Sequence, residues 1–184
     1  MDVINKYLPT VNQSVILSEL GLQNKKYFLV TVHRAENVDN RERLKNIFRG
    51  LSLIKESFLD FEIIFPLHPR TKKRSEDFGI PLPAGIRIID PVGYFSMLAL
   101  EKNARLIITD SGGIQEEACV LQVPVVTMRD NTERPETVEY GFNTLVPGVN
   151  PDDILEKVKE MMNREYSWTN PFGDGRAGRK ILGI

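Results

Sequence analysis

At 184 residues the chain is long enough for one domain with a sizeable buried core, and its 41% hydrophobic and 27% charged residues are ordinary for a globular protein. Its 24 Lys and Arg against 25 Asp and Glu give a formal charge of −1, which leaves no basic excess for nucleic acid. A small anion held by a few local donors is not excluded, but apolar runs such as 27–32 are far too short to cross a bilayer.

Residues 1–26 read as a lead-in, amphipathic over 1–19, with Val3, Ile4, Tyr7 and Leu8 apolar. No basic, apolar, cleavable arrangement opens the chain, so a cytoplasmic location is the default expectation. A strand over 27–32 is followed by a helix over 40–57, where Leu44, Ile47, Phe48, Leu51 and Ile54 keep helical spacing. Strands at 62–67 and 86–90 precede a helix at 95–103, and a strand at 106–109 leads to a helix at 114–121. That last helix holds the single cysteine, Cys119, between Ala118 and Val120. One cysteine rules out an internal disulfide and a cysteine-cluster metal site, and the apolar setting reads as a small buried hydrophobe. A strand at 123–128, a helix at 136–140, a strand at 143–146 and a helix at 152–163 complete the pattern.

Strands alternating with helices, several of them apolar throughout, define an α/β fold with a doubly wound, Rossmann-like parallel sheet. Residues 27–169 form that domain. The tail 170–184 carries Gly173, Gly175 and Gly178 and ends apolar at Ile181-Leu182. Both chain ends are apolar without an evident partner inside the domain, which points to a cover from outside it.

Ligands of open parallel sheets bind beyond the carboxyl ends of the strands. The first strand runs out into Thr31-Val32-His33-Arg34-Ala35-Glu36-Asn37 and the second into Pro66-Leu67-His68-Pro69-Arg70, so the two histidines share one edge. Each taken singly is as well explained by a cap or a turn; together they favour a site. The fourth strand gives Thr109-Asp110-Ser111-Gly112-Gly113-Ile114-Gln115-Glu116-Glu117. There Ser111 or Asp110 can cap the following helix, and the two glycines let an anion approach backbone N–H groups at a positive helix end. Glu117, four residues after Gly113, lies one turn along the same face, where a carboxylate suits ribose hydroxyls better than phosphate. A cap and a tight turn explain Ser-Gly-Gly equally well. The segment is neither a Walker loop nor a dinucleotide fingerprint. After the fifth strand, Pro135 suits a helix start and Arg134 precedes it, facing a diphosphate or ribose oxygen, or sitting in an exposed ion-pair network.

Taken together these segments closely resemble the non-hydrolysing UDP-N-acetylglucosamine 2-epimerases. The resemblance rests on the His33, His68 and Thr109-to-Glu117 segments, on Val125-Val126-Thr127-Met128-Arg129-Asp130-Asn131-Thr132-Glu133-Arg134-Pro135-Glu136, and on Asn170-Pro171-Phe172-Gly173-Asp174-Gly175. In order and spacing they run through nearly the whole chain from residue 27. The resemblance implies one half of a GT-B-like two-domain architecture, with the site between the domains. It implies that Ser111, Gly112 and Gly113 hold the diphosphate, Glu117 the ribose, Arg134 the nucleotide, and His33 the sugar and its leaving diphosphate. Val92 and Met97 would lie by the uracil, where the family often has a polar residue and an aromatic. His68 and Arg70 are placed at the cleft, facing either substrate or an effector.

The implied chemistry inverts sugar C2 by elimination and re-addition of UDP, with no redox cofactor and no metal, in nucleotide-sugar metabolism of the kind that feeds polysaccharide biosynthesis. A first Rossmann domain carrying the acid/base carboxylates would precede residues 1–26, and the complete enzyme would be a homodimer. The chain alone is then expected to bind UDP without turnover. Two other classes stay open, the nucleotide half of a GT-B glycosyltransferase and a non-catalytic nucleotide-sugar module, beside the closely related hydrolysing epimerases.

Overall fold

The computed structural model describes residues 2–173 together with 181 and 183. Six strands form one parallel sheet: β1 (Tyr27–Thr31), β2 (Glu62–Pro66), β3 (Arg87–Ile89), β4 (Leu106–Thr109), β5 (Val125–Thr127) and β6 (Asn143–Leu145). Their order is β3-β2-β1-β4-β5-β6, so the winding direction reverses between β1 and β4. There Phe28 lies opposite Leu106 and Thr31 opposite Thr109, and the two threonine hydroxyls share a 2.6 Å hydrogen bond.

The central strands are apolar throughout because both of their faces are covered. Side chains alternate across a strand, so Phe28, Val30 and Ile108 enter one core while Tyr27, Leu29 and Ile107 enter another. Helices α4 (Arg41–Ser57) and α9 (Pro151–Asn163) close the first core through Leu44, Ile47, Ile154 and Val158. On the opposite face lie α6 (Tyr94–Asn103), α7 (Gly112–Val120), α1 (Asp2–Asn12) and α2 (Ile16–Glu19), with Leu98, Ala118, Val11 and Ile16 in the second core. Helix α4 starts where Asn40 accepts from the backbone N–H groups of Glu42 at 3.0 Å and Arg43 at 3.1 Å.

Three features differ from the sequence expectations. Helix α5 (Pro69–Phe78), one of two helices with the short α3 (Ala35–Val38) that periodicity does not predict, presents no apolar stripe. Its buried residues are Thr71 and Ser75, and their hydroxyls donate to the carbonyls of Val32 and Ile80. The N-terminal apolar residues are partly covered inside the domain: Ile4 is buried, Tyr7 and Leu8 are half-buried and Val3 stays exposed, while α1 and α2 pack on α6 through Val11 and Ile16. Finally, α7 begins at Gly112, so the two glycines form its first turn rather than a loop before it. Of the tail expected to pack elsewhere, residues 174–180, 182 and 184 lie outside the described residues.

Candidate functional site

The reversal between β1 and β4 opens a crevice at the carboxyl edge of the sheet, and the segments after both strands border it. Asp110, which follows β4, is fully buried. Its carboxylate accepts from the backbone N–H groups of His33 (3.1 Å) and Arg34 (2.9 Å) and from the Asn37 side-chain amide (3.1 Å). The His33 Nδ1 stands 3.4 Å from the same carboxylate. Asp110 thus clamps the β1 exit and does not cap α7. Ser111 occupies the capping position with extended backbone, but its side chain makes no capping bond. The leading N–H groups of α7 therefore lack a side-chain cap and carry the positive end of the helix dipole.

Arg34 lies beside them. A Cβ added at Gly112 would meet Arg34 Nη2 at 3.4 Å, whereas one at Gly113 would meet nothing nearer than Ser111 Oγ at 3.9 Å. Among the described residues Arg34 has no ion pair. A guanidinium and an uncapped helix end are the two devices that hold phosphate oxygens. Glu133 Oε2 also stands 3.7 Å from that Gly112 position. Its charge is offset by Arg129, which binds it at 2.7 and 2.9 Å and holds its carboxyl down at about 2. In the sequence Arg34 is marked only by its place beside His33 in the segment that follows β1.

Farther along α7, the half-buried Glu117 accepts from the Tyr94 hydroxyl at 3.1 Å. Burial raises its pKa, and the Tyr94 bond opposes that shift. Arg134 precedes α8 (Pro135–Glu139) and its Nε donates to Glu116 on α7. Its backbone N–H donates to Thr132 Oγ1 at 3.0 Å, and that hydroxyl donates to the buried Gln115 at 2.6 Å. Asn143 Nδ2 donates to the same Gln115 oxygen at 3.2 Å. A buried polar network therefore fixes the Arg134 segment against the helix that begins at Gly112, although the Arg134 guanidinium itself is engaged with Glu116.

Across the crevice the His33 and His68 rings approach to 5.5 Å between centroids. His68 caps α5, its Nδ1 accepting the Arg70 N–H at 3.1 Å, so capping and site geometry coexist in one residue. His33, His68, Val92 and Met97 line one cavity of about 180 Å³, closed by Thr31 and Ile114. Arg70 is not part of it: its guanidinium pairs with Asp39, which Arg74 also binds at 2.8 Å. Burial lowers the His33 pKa below the usual 6.5; Asp110 opposes this, and His68 and Arg34 add to it. Among the described residues no three His, Cys, Asp or Glu side chains are grouped to hold a metal ion, and no helix is long and apolar enough to cross a membrane.

A parallel sheet of this order, with an uncapped helix end, an arginine and a mostly apolar cavity at its reversal point, defines a doubly wound, Rossmann-like α/β fold. The chain belongs to the UDP-N-acetylglucosamine 2-epimerase family, whose model matches residues 1–184. A relative named UDP-N-acetylglucosamine 2-epimerase from Methanocaldococcus jannaschii is 57% identical over 162 residues, covering 86% of this chain and 44% of its own length. The crystal structure of the M. jannaschii UDP-GlcNAc 2-epimerase in complex with UDP-GlcNAc and UDP superposes with a TM-score of 0.89 at 49% identity, over 99% of this chain and 51% of that one. The Escherichia coli ADP-heptose heptosyltransferase II matches with a TM-score of 0.57 at 12% identity, over 82% of this chain and 50% of that one, and shares the fold alone. The chain spans about half the length of the relatives it matches.

Proposed function

We propose that this chain is the nucleotide-binding half of an epimerase that interconverts UDP-N-acetylglucosamine and UDP-N-acetylmannosamine. The observation that carries the reading is the uncapped start of α7 with Arg34 beside it, at the sheet reversal of a chain 49% identical to an enzyme solved with UDP-GlcNAc and UDP. In this reading the Ser111 hydroxyl, the N–H groups of Gly112 and Gly113 and the Arg34 guanidinium take the diphosphate. Glu117 takes the ribose hydroxyls, and Val92 and Met97 flank the uracil in the cavity. Arg134 reaches the nucleotide by exchanging its Glu116 partner, while His68 and Arg70 stand at the rim of the cleft.

The reaction removes the C2 proton to a base and breaks the C1–O bond, with the electron pair leaving on UDP. UDP then re-adds to the 2-acetamidoglucal after C2 is protonated from the other face. The residues described here serve the leaving group: His33 donates a hydrogen bond to the departing diphosphate, and the α7 dipole and Arg34 stabilise its charge. The carboxylates acting at C2 come from a preceding Rossmann domain, and a span of about half the relatives' length leaves room for one. The complete enzyme is a cytoplasmic homodimer in this reading.

Incubation of the chain with UDP-N-acetylglucosamine, alone and with a matching first domain, followed by product analysis, tests it. A Pseudomonas aeruginosa relative, 39% identical over 166 residues, is named UDP-2,3-diacetamido-2,3-dideoxy-D-glucuronate 2-epimerase, so that nucleotide sugar is run in parallel. The expected result is UDP-N-acetylmannosamine from the reconstituted pair and no turnover by the chain alone. Transfer of the sugar to an acceptor, or turnover of the glucuronate alone, overturns the assignment.

A further inference from the structure

Helix α6 carries a carboxyl group that the reading above does not use. Glu101 is fully buried, and neither of its oxygens meets an N–H or hydroxyl donor among the described residues. The polar group within reach is a second carboxylate, that of Glu117, across the α6–α7 packing. Tyr94 and Glu101 are seven residues apart on α6 and so share a face; the Tyr94 hydroxyl reaches Glu117 at 3.1 Å. Two carboxylates bond only if one carries a proton, and a buried ionised carboxylate without a donor is very costly.

We propose that Glu101 is a positioning residue for the nucleotide, donating its carboxyl O–H to Glu117 and holding that carboxylate toward the ribose. The proposal rests on the reading of Glu117 as the ribose acceptor. Depth decides which partner holds the proton, because Glu101 is sealed whereas Glu117 is half-exposed. Burial puts the Glu101 pKa well above the ordinary carboxyl value, and Glu117 pushes it further. Several titratable groups lie on the packed elements: Lys6 and Tyr7 on α1, Glu19 on α2, Tyr27 on β1, and Glu116 and Glu117 on α7. Of these, Glu117 raises the Glu101 pKa, and Glu101 in turn acts on Tyr27, whose hydroxyl donates to the Leu100 carbonyl. With Tyr94 and Glu101 both donating to it, the Glu117 carboxylate keeps about two of its roughly four lone-pair sites for the 2′ and 3′ hydroxyls.

Calorimetric titration of the whole chain and of E101Q and E101M with UDP and 2′-deoxy-UDP tests this. Glutamine keeps a donor and has no acidic proton to lose; methionine keeps length and loses the donor. The parent is expected to favour UDP over the deoxy analogue, E101Q to keep that preference, and E101M to lose most of it with ~10-fold weaker UDP binding. Toward alkaline pH the parent loses affinity as the shared proton leaves, whereas E101Q does not. If E101M fails to fold, the pH profiles of the parent and E101Q decide. A parental preference in E101M, or coincident alkaline profiles for the parent and E101Q, overturns the role of Glu101 and leaves the UDP site standing. A parent chain that binds no UDP overturns both.

Discussion

Asp110 governs what His33 can do. The carboxylate fixes the His33 backbone from below, so the imidazole is held at the mouth of the cavity and not in the core. Burial keeps the imidazole below its usual 6.5, so the unfolded chain takes up the proton first as the solution is acidified. The stability contribution is therefore complete above about pH 6.5 and is lost as pH falls through the folded-state value. The thermal midpoint of the ligand-free chain should drop over that window, and His33→Asn should flatten the drop. A bound diphosphate favours the imidazolium and reverses the shift, so NMR titration of His33 should move to higher pH with UDP. An identical titration with and without UDP removes His33 from the leaving group. The place of His33, Ser111 and Gly112 at the carboxyl edge was legible in the sequence because each follows an apolar strand within three residues. Arg34, Asp110 and Glu101 were not, since a buried carboxylate and a surface glutamate look alike until the opposing helix is in place. Arg70, placed at the cleft by the sequence, pairs with Asp39.

At the scale of elements, the helices with apolar stripes were legible and those held by hydrogen bonds were not. Helix α4 was readable from Leu44, Ile47 and Leu51, whereas the inward positions of α5 are the small polar Thr71 and Ser75, which carry no apolar stripe. The start of α7 was misplaced by two residues because diglycine reads as a turn, while here it opens the helix that faces the crevice. Packing between α4 and α9 depends on a small residue. A Cβ at Gly50 would lie 2.9 Å from Ile154 Cδ1 and 3.2 Å from its Cβ, so a rotamer change of Ile154 alone does not make room. Alanine gains roughly 0.5–1 kcal/mol of helix propensity, but overpacking costs typically 1–3 kcal/mol. Gly50→Ala should therefore destabilise the fold by about 1 kcal/mol. Urea unfolding measures this, and Ile154→Val in the same chain should recover part of the loss. A more stable Gly50→Ala protein would show that α9 moves freely.

At the scale of the molecule, the sheet order places every element of the nucleotide reading along one edge. The β1 exit supplies Arg34 and His33, the β4 exit supplies the α7 N–H groups, and Val92 and Met97 line the wall opposite. The lead-in packs Val11 and Ile16 into this domain and leaves Val3 exposed. The central claim is that the edge binds a diphosphate, and the most direct test is calorimetry of the chain with UDP, UMP and uridine at fixed salt. Affinity should fall in that order, with UDP well ahead, because the α7 start and Arg34 act on the phosphates. Equal binding of uridine and UDP, or no binding of either, would contradict the account.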